Sequence, residues 1–260
     1  MTMTALDARQ LLNLDYCFSD EKVKQTAYRL PVRELFTAAG AASFLEAYTA
    51  QIGKTSEDLD AAAMFWAVRS SKWFTYLHWC QTSGQQVDPN EWIVVLLPNQ
   101  HPKKEPVLTY IYTPQPAQAE VVSSVVDTTL ASLYVTVISP LLQQIAAQAH
   151  VKSEQLWGQL DIGISNGFKT FRDDEALESR LQREWKHIKE TAPAFTFLEV
   201  ESPFPFALQS IPAKKGEGMT TTKPSCCLAY KTIHDSQCYR CPKLSKQERE
   251  KKRISPASVQ

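Results

Sequence analysis

Four of the six cysteines in this 260-residue chain fall between positions 226 and 241, as Cys226-Cys227, a ten-residue gap, and Cys238-Tyr239-Arg240-Cys241. Four thiols in so short a stretch call for covalent pairing or a metal, and so constrain the chain more than any periodicity does. The C-x2-C half-site is a short turn that lets two thiolates converge. The adjacent pair is less usual. Neighbouring Cα atoms stand about 3.8 Å apart, and in an extended chain their side chains point to opposite faces. A local bend is therefore expected at Cys226-Cys227, with Pro224 two residues earlier to fix the approach. Soft thiolates favour zinc, Cu(I) and iron–sulfur centres. Four-cysteine zinc sites usually take two C-x2–4-C hooks, which the vicinal pair does not supply. A vicinal disulfide would be strained. The spacing thus ranks metal above disulfide and leaves iron–sulfur and zinc both open.

The rest of the chain is expected to be cytoplasmic. Its first residues lack a basic region followed by an apolar run, so no signal peptide is read there. The densest apolar stretch, Trp92 to Leu97, is six residues, against about 20 for a bilayer span, so no transmembrane segment is expected. Clustered thiols in a reducing compartment bind metal more often than they form disulfides. Cys17 and Cys80 stand alone among apolar neighbours and read as inert thiols. Formal net charge is zero but uneven: residues 213–260 carry 11 Lys/Arg against four Asp/Glu, leaving 17 against 24 for residues 1–212. A mildly acidic body with a basic end points to partners.

With 43% hydrophobic residues the chain can build a substantial core. Arg33–Ile52 reads as a helix with Leu35, Phe36, Phe44, Leu45 and Tyr48 on one face. Thr55-Ser56-Glu57-Asp58 reads as the start of a second helix running to about Cys80. Its aromatic density fits core packing, with Trp66, Trp73 and Trp79 as candidates for a pocket wall. Trp92–Leu97 and Val107–Tyr112 predict an antiparallel pair of buried strands. Ala119–His150 predicts helix broken or kinked at Pro140. Residues 154–171 look mixed, with Gly158, Gly163 and Gly167 as punctuation, and Asp174–Glu190 is an amphipathic helix. Phe195–Val200 alternates like a strand. The expected fold class is α+β: a helix-rich body with a small antiparallel sheet and a C-terminal cysteine module. The expected divisions are a body at 1–212, a linker at 213–223, the cysteine module at 224–244 and a basic, flexible tail at 245–260.

The residues around the cysteines carry a resemblance. Lys223-Pro224-Ser225-Cys226-Cys227-Leu228-Ala229-Tyr230, followed by Cys238-Tyr239-Arg240-Cys241-Pro242, is similar to the C-terminal signature of the FhuF-type siderophore-iron reductases, a C-C-x10-C-x2-C motif. The gap length, the Ser before the pair, the Leu and Tyr after it and the closing Pro all agree; Lys223 stands where the family often has Arg. Leu156-Trp157-Gly158-Gln159 faintly resembles an L-W-G-N stretch of the same family. The resemblance implies a [2Fe–2S] cluster on Cys226, Cys227, Cys238 and Cys241, and one-electron reduction of a ferric hydroxamate siderophore in the cytoplasm, free or at the inner face of the membrane. Lys223, Lys231 and Arg240 flank the cysteines as candidates for raising the cluster potential, and His234, inside the gap, is a candidate for modulating it. The other histidines show no metal spacing. No G-x-G-x-x-G stands in strand–helix context and no P-loop occurs, so an external donor is expected: a ferredoxin, a flavodoxin or an NAD(P)H-dependent reductase. Acidic carriers would be drawn to Lys246, Arg249, Lys251, Lys252 and Arg253. The rival reading is a four-cysteine zinc module whose basic tail binds a partner or nucleic acid. The acidic body and the lack of a helix-turn-helix or finger pattern offer no surface for reading nucleic acid, so none is expected as a partner.

Overall fold

Trp66, Trp73, Trp79 and Trp92 meet at the centre of the molecule, and the elements that carry them organise the rest. The computed structural model describes residues 4–12, 28–85, 88, 91–97, 107–112, 130–204, 206–214 and 218–254. Helix α1 (Ala5–Leu11) precedes strand β1 (Tyr28–Pro31), a 3-10 turn (Val32–Phe36) and α2 (Ala38–Ile52). Then follow α3 (Leu59–Arg69), α4 (Ser71–Thr82), β2 (Trp92–Leu97) and β3 (Val107–Tyr112). Helix α5 spans Leu130–Ala149, followed by α6 (Ser153–Phe168) and α7 (Glu175–Thr191). A short hairpin of β4 (Ser210–Pro212) and β5 (Met219–Thr221) leads to the cysteines, and α8 (Lys246–Ile254) follows them. The three-stranded sheet is antiparallel in the order β1-β2-β3, with Trp92 opposite Tyr112 and Leu97 opposite Val107. The chain is a helix-rich α+β protein with a small antiparallel sheet.

Several boundaries differ from the sequence expectation, some for a local reason and some for a tertiary one. The long helix expected from Thr55 starts at Leu59, after Asp58 accepts the N–H groups of Lys54 and Thr55. It also divides at Ser70, whose hydroxyl lies 2.6 Å from Tyr110 OH, itself 3.0 Å from Trp66 Nε1. Trp73 stacks on the same Tyr110 ring at 4.5 Å. Pro140 does not break α5. It has no N–H to offer the previous turn, and Tyr134–Ile138 widens to i→i+5 bonding, Ser139 N–H reaching Tyr134 O. Although α5 is long and apolar enough to cross a membrane, Tyr134, Ile138, Leu141, Leu142 and Ile145 on it are fully buried in the core. The part of the expected helix before Leu130, the segment between β2 and β3, and Cys17 lie outside the described residues.

Residues 153–168 form one continuous helix, so the glycines expected to punctuate it serve packing instead. A Cβ on Gly163 would overlap Ser71, and one on Gly167 would overlap Thr75 Oγ1, so α6 lies against α4 at closer range than side chains permit. Phe195–Val200 is not a strand. Ala194–Phe197 forms a 3-10 turn that ends on Leu198 at φ 53°. Thr196 O accepts Ser139 Oγ at 2.8 Å, and Phe197 packs edge-on against Trp157, so a helix rather than a strand supplies its partners. The stretch read as a linker contains β5 paired to β4. The stretch read as a flexible tail contains α8, started by a capping box: Glu248 N–H bonds to Ser245 Oγ, and Ser245 N–H to Glu248 Oε2.

Candidate metal centre and adjoining cleft

The cysteine segment is docked on α6 by Leu156-Trp157-Gly158-Gln159. Gly158 has no side chain, and an added Cβ would stand 3.0 Å from Pro224 Cβ and from Ser225 Oγ. Pro224-Ser225 can therefore lie directly on the helix. Ser225 Oγ donates to Gln155 O at 2.7 Å, while the buried Gln159 Nε2 donates to Ser225 O and Oγ, each at 2.7 Å. Immediately beyond the cysteine pair comes the bend that it requires. Leu228 adopts φ 55°, ψ 25°, and Ala229–Lys231 forms a 3-10 turn. A leucine in the left-handed region costs about 1 kcal/mol, and the bend aims Leu228 N–H at Cys226 Sγ and Ala229 N–H at Cys227 Sγ. The ten-residue gap is held to the end of α2: Thr232 bridges Gly53, Ile233 N–H bonds to Ile52 O, and Lys54 pairs with Asp235.

The second half-site closes as a turn, with Cys241 N–H on Cys238 O at 3.0 Å, and joins the first limb through Lys223 N–H on Arg240 O at 2.8 Å. Arg240 Nε donates to Thr221 O and Tyr239 OH to Pro212 O, both at 2.7 Å, fastening this turn to the β4–β5 hairpin. From α8, Arg249 reaches inward. Its guanidinium donates to Tyr239 O at 2.7 Å, Cys241 O at 3.1 Å and Leu244 O at 3.2 Å, and it is 6% exposed. The sequence reading placed Arg249 among the tail charges that would draw an acidic carrier, whereas it is buried against the cysteine turn. The S-x-x-E capping signal at Ser245–Glu248 was the clue that a helix begins there.

The sulfurs lie as two pairs. Cys226 Sγ is 3.5 Å from Cys241 Sγ, and the Cys227 and Cys238 thiols lie near enough to push each other's protonation in opposite directions. Cys226, Cys227 and Cys241 are buried, and Cys238 is half-buried. The neighbouring Cys238 holds the Cys227 thiol low; burial opposes this, while the Lys223 ammonium, 3.6 Å from its sulfur, and Ala229 N–H reinforce it. Cys227 and burial in turn push Cys238 upward, and burial raises Cys226. Cys80, isolated in the core, is pushed up to about 12 by burial, which a Tyr76 hydrogen bond and the Arg9 charge offset only in part. Among the described residues, no three His, Cys, Asp or Glu side chains are grouped to hold one metal ion. Two sulfurs on one tetrahedral metal, each at about 2.3 Å from it, stand about 3.8 Å apart, close to the Cys226–Cys241 spacing. Four cysteines, two of them at this spacing, are the donor set that a dinuclear iron–sulfur centre takes.

The flanking residues separate into roles the sequence did not distinguish. Lys223 is beside a sulfur. Lys231 points away to α3, 2.7 Å from Asp60 Oδ2 and 3.9 Å from Asp58 Oδ1, so its charge is largely answered there. Arg240 serves the hairpin, and His234 stacks on Phe65 with centroids 5.6 Å apart. Trp66, Trp73 and Trp79, candidates for a pocket wall, are 0%, 0% and 1% exposed and belong to the core, away from the lining of the cleft beside Cys226. The opening lies elsewhere. A cleft of about 790 Å³ runs between the start of α6, residues 199–203 with Phe206, and Pro242-Lys243, and Cys226 forms part of its wall. Residues 199–203 carried no motif, which is why this surface was missed.

Comparison with protein-family models, with curated proteins and with solved structures finds no match to this chain.

Proposed function

We propose that the chain is a ferric-siderophore reductase of the kind its cysteine signature resembles, with Cys226, Cys227, Cys238 and Cys241 holding a [2Fe–2S] cluster. One observation carries the reading: four cysteine sulfurs gathered as two pairs, one of which, Cys226, also walls an open cleft. Bound there, such a cluster supplies one-electron transfer at a potential between roughly −700 and +450 mV, tuned by charge, hydrogen bonds and exposure. The protein's own residues do the holding. Gln159 and Ser225 fix the first limb on α6, Arg249 fixes the second, and the Leu228 and Ala229 amides point at sulfur. Leu228, Tyr230 and Leu244 pack around Cys226 and Cys241 and shield them from water.

The substrate is Fe(III) held by hydroxamate oxygens. Hard anionic oxygens suit Fe(III) and bind the larger, less charged Fe(II) more weakly. One electron per iron, supplied by a ferredoxin, a flavodoxin or an NAD(P)H-dependent reductase, converts Fe(III) to Fe(II). The released hydroxamates take up protons from water, and no bond within the siderophore breaks. A cytoplasmic setting, with its reducing thiol pool, is the compartment this chemistry requires.

The test is anaerobic purification with metal analysis and visible spectroscopy. A red-brown protein carrying iron and acid-labile sulfide in equal amounts, bleached by dithionite, is expected. Its reduced form should be reoxidised by a ferric trihydroxamate with appearance of Fe(II). A colourless protein with one zinc per chain would overturn the reading and favour the interaction module.

A further inference from the structure

The four cysteines do not all face the cleft. Cys226 forms part of its wall, whereas Cys238, the one half-buried cysteine of the four, does not, and neither do Lys223, Arg240 or any residue of α8. The charges divide in the same way. In the cleft, Lys152 and Lys243 stand against Glu154, Glu199 and Glu201. Helix α8 carries five cations and two carboxylates in nine residues. Two of those cations are engaged within the protein: Arg249 turns inward to the carbonyls of Tyr239, Cys241 and Leu244, and Arg253 pairs with Glu250 at 2.6 Å. That leaves Lys246 and Lys251, both exposed, and the half-buried Lys252. The remaining carboxylate, Glu248, caps the helix through Ser245 and lies near Lys251 and Lys252, so it offsets one of the three charges. Ile254, 69% exposed, ends the helix with an apolar side chain in water.

We propose that α8, with the Cys238–Cys241 turn to which Arg249 clamps it, is the docking surface for a small acidic one-electron carrier protein, and that this surface is separate from the cleft at Cys226. The inference rests on the reductase reading and adds to it the place where the electron enters. Electron transfer falls steeply with distance, so a donor has to dock close to the sulfurs. At about 1.5 Å rise per residue, Lys246, Lys251 and Lys252 each stand within about 5 Å along the helix axis of Arg249, whose guanidinium meets Cys241 O. The clamp thus fixes three ammonium groups beside the cysteine turn. Lys223, at Cys227 Sγ, and Arg240, joined to it through Lys223 N–H on Arg240 O, continue the positive field toward the half-buried Cys238. Such a field attracts an acidic partner and orients it on approach, and Ile254 supplies an apolar contact at the end of the helix. The carrier is oxidised by one electron, which passes to the centre held by the four thiolates; no bond breaks and no proton moves in this step. With donor and iron complex on different faces, both can be bound at once.

An acidic plant-type [2Fe–2S] ferredoxin is the probe. Calorimetric titration of the iron–sulfur-loaded protein with oxidised ferredoxin reads docking without turnover. Binding should weaken at least about tenfold between ionic strengths of about 0.01 M and 0.15 M, where the screening length falls from about 30 Å to about 8 Å. Lys246→Glu, Lys251→Glu and Lys252→Glu together should weaken it about tenfold or more at low salt. Reduction by reduced ferredoxin should slow in proportion, while reoxidation by a neutral ferric trihydroxamate is unchanged. Carbodiimide coupling, mapped by mass spectrometry, should join ferredoxin carboxylates to these lysines. Should charge reversal unsettle α8, the neutral changes Lys246→Gln and Lys251→Gln give an intermediate loss, and the salt dependence of the wild type needs no variant. Salt-independent binding, or unaltered affinity in the triple variant, overturns the surface. Equal slowing of reoxidation by the iron complex overturns its separation from the cleft. Reduction by an NAD(P)H-dependent reductase with no binding of ferredoxin overturns the acidic carrier. Each of these leaves the reductase reading standing, whereas a preparation without iron and sulfide defeats that reading itself.

Discussion

Arg249 is the residue whose removal should tell most about how the cysteine segment is held. Its guanidinium is almost fully buried and donates to three backbone carbonyls, Tyr239 O, Cys241 O and Leu244 O. A hydrogen bond to a charged group is worth roughly 1.5–3 kcal/mol, and part of that is regained as the freed carbonyls meet water. Arg249→Met should therefore cost about 3–4 kcal/mol, felt locally. Tyr239 OH on Pro212 O and Lys223 N–H on Arg240 O still fasten the turn, and the tryptophan core is untouched. Three kcal/mol is about a hundredfold in an opening equilibrium. The direct assay is amide hydrogen exchange at Cys241, whose N–H bonds to Cys238 O, with an expected acceleration of about a hundredfold while α4 and α6 amides stay protected. In the loaded protein, loss of visible absorbance to an iron chelator should accelerate in parallel. Arg249→Lys keeps the charge but cannot span three carbonyls with one ammonium, so it should recover only part of the effect. Exchange at Cys241 within twofold of wild type in Arg249→Met would refute the clamp, and full recovery by Lys would show that charge alone, not the fork, matters.

Other outcomes follow from the same contacts. Gly158→Val should displace Pro224-Ser225 from α6 and cost about 1–3 kcal/mol, seen as lower iron and sulfide content per chain with the helical circular dichroism retained. Gly163→Ala should destabilise the body by a similar amount in urea, because overlap with Ser71 outweighs the roughly 1 kcal/mol of helix propensity gained. Lys223→Gln should lower the cluster's reduction potential, by loss of a cation beside Cys227, while Lys231→Gln should leave it nearly unmoved because Asp60 already answers that charge. Glu184 controls acid sensitivity. Burial pushes its carboxyl up, but the His78 ring 3.7 Å away and hydrogen bonds from Thr82 and Arg180 outweigh this and hold it at about 2. A depressed folded value means stability that is full above the unfolded value near 4.5 and lost as pH falls toward 2. Buried His78, held low chiefly by desolvation, adds to the loss below its ordinary value near 6.5 because only the unfolded chain takes up its proton. Thermal melts of Glu184→Gln should start lower at pH 7 and decline less steeply than wild type between about pH 5 and 2.

The parts of the fold that were legible in the sequence are those where one local signal suffices. Runs of β-branched and aromatic residues marked β2 and β3 at their observed limits, and the apolar stripe of Leu177, Leu181, Trp185 and Ile188 marked α7. Gly163, Pro140 and the Phe195–Leu198 turn carry local signals for a break, a kink and a strand; distant residues override the first and last, and a change of helical pitch beside Pro140 overrides the second. Ser71 needs the space at Gly163, the widened turn before Pro140 absorbs its missing donor, and Ser139 takes the carbonyl of Thr196. The aromatic density around Trp66, Trp73 and Trp79 was read as core packing, and all three are buried there; the pocket-wall alternative stayed open in the sequence because periodicity gives a face and not what lies against it.

The cysteines divide along the same line. Their number, order and spacing are properties of the chain alone, and these already required a bend after Cys226-Cys227 and argued for a metal. Which sulfur pairs with which, which cation stands beside them and where the surface opens are matters of three dimensions. Gln159 is 66 residues from Ser225, and the 199–203 wall of the cleft lies about twenty residues before Cys226. Only packing on α6, with Gly158 admitting Pro224-Ser225 and Arg249 returning from α8, turns four thiols in a row into two pairs at the edge of a cleft. Ligand identity is written in one dimension because it is covalent, whereas ligand geometry depends on contacts between segments that the order of residues does not specify.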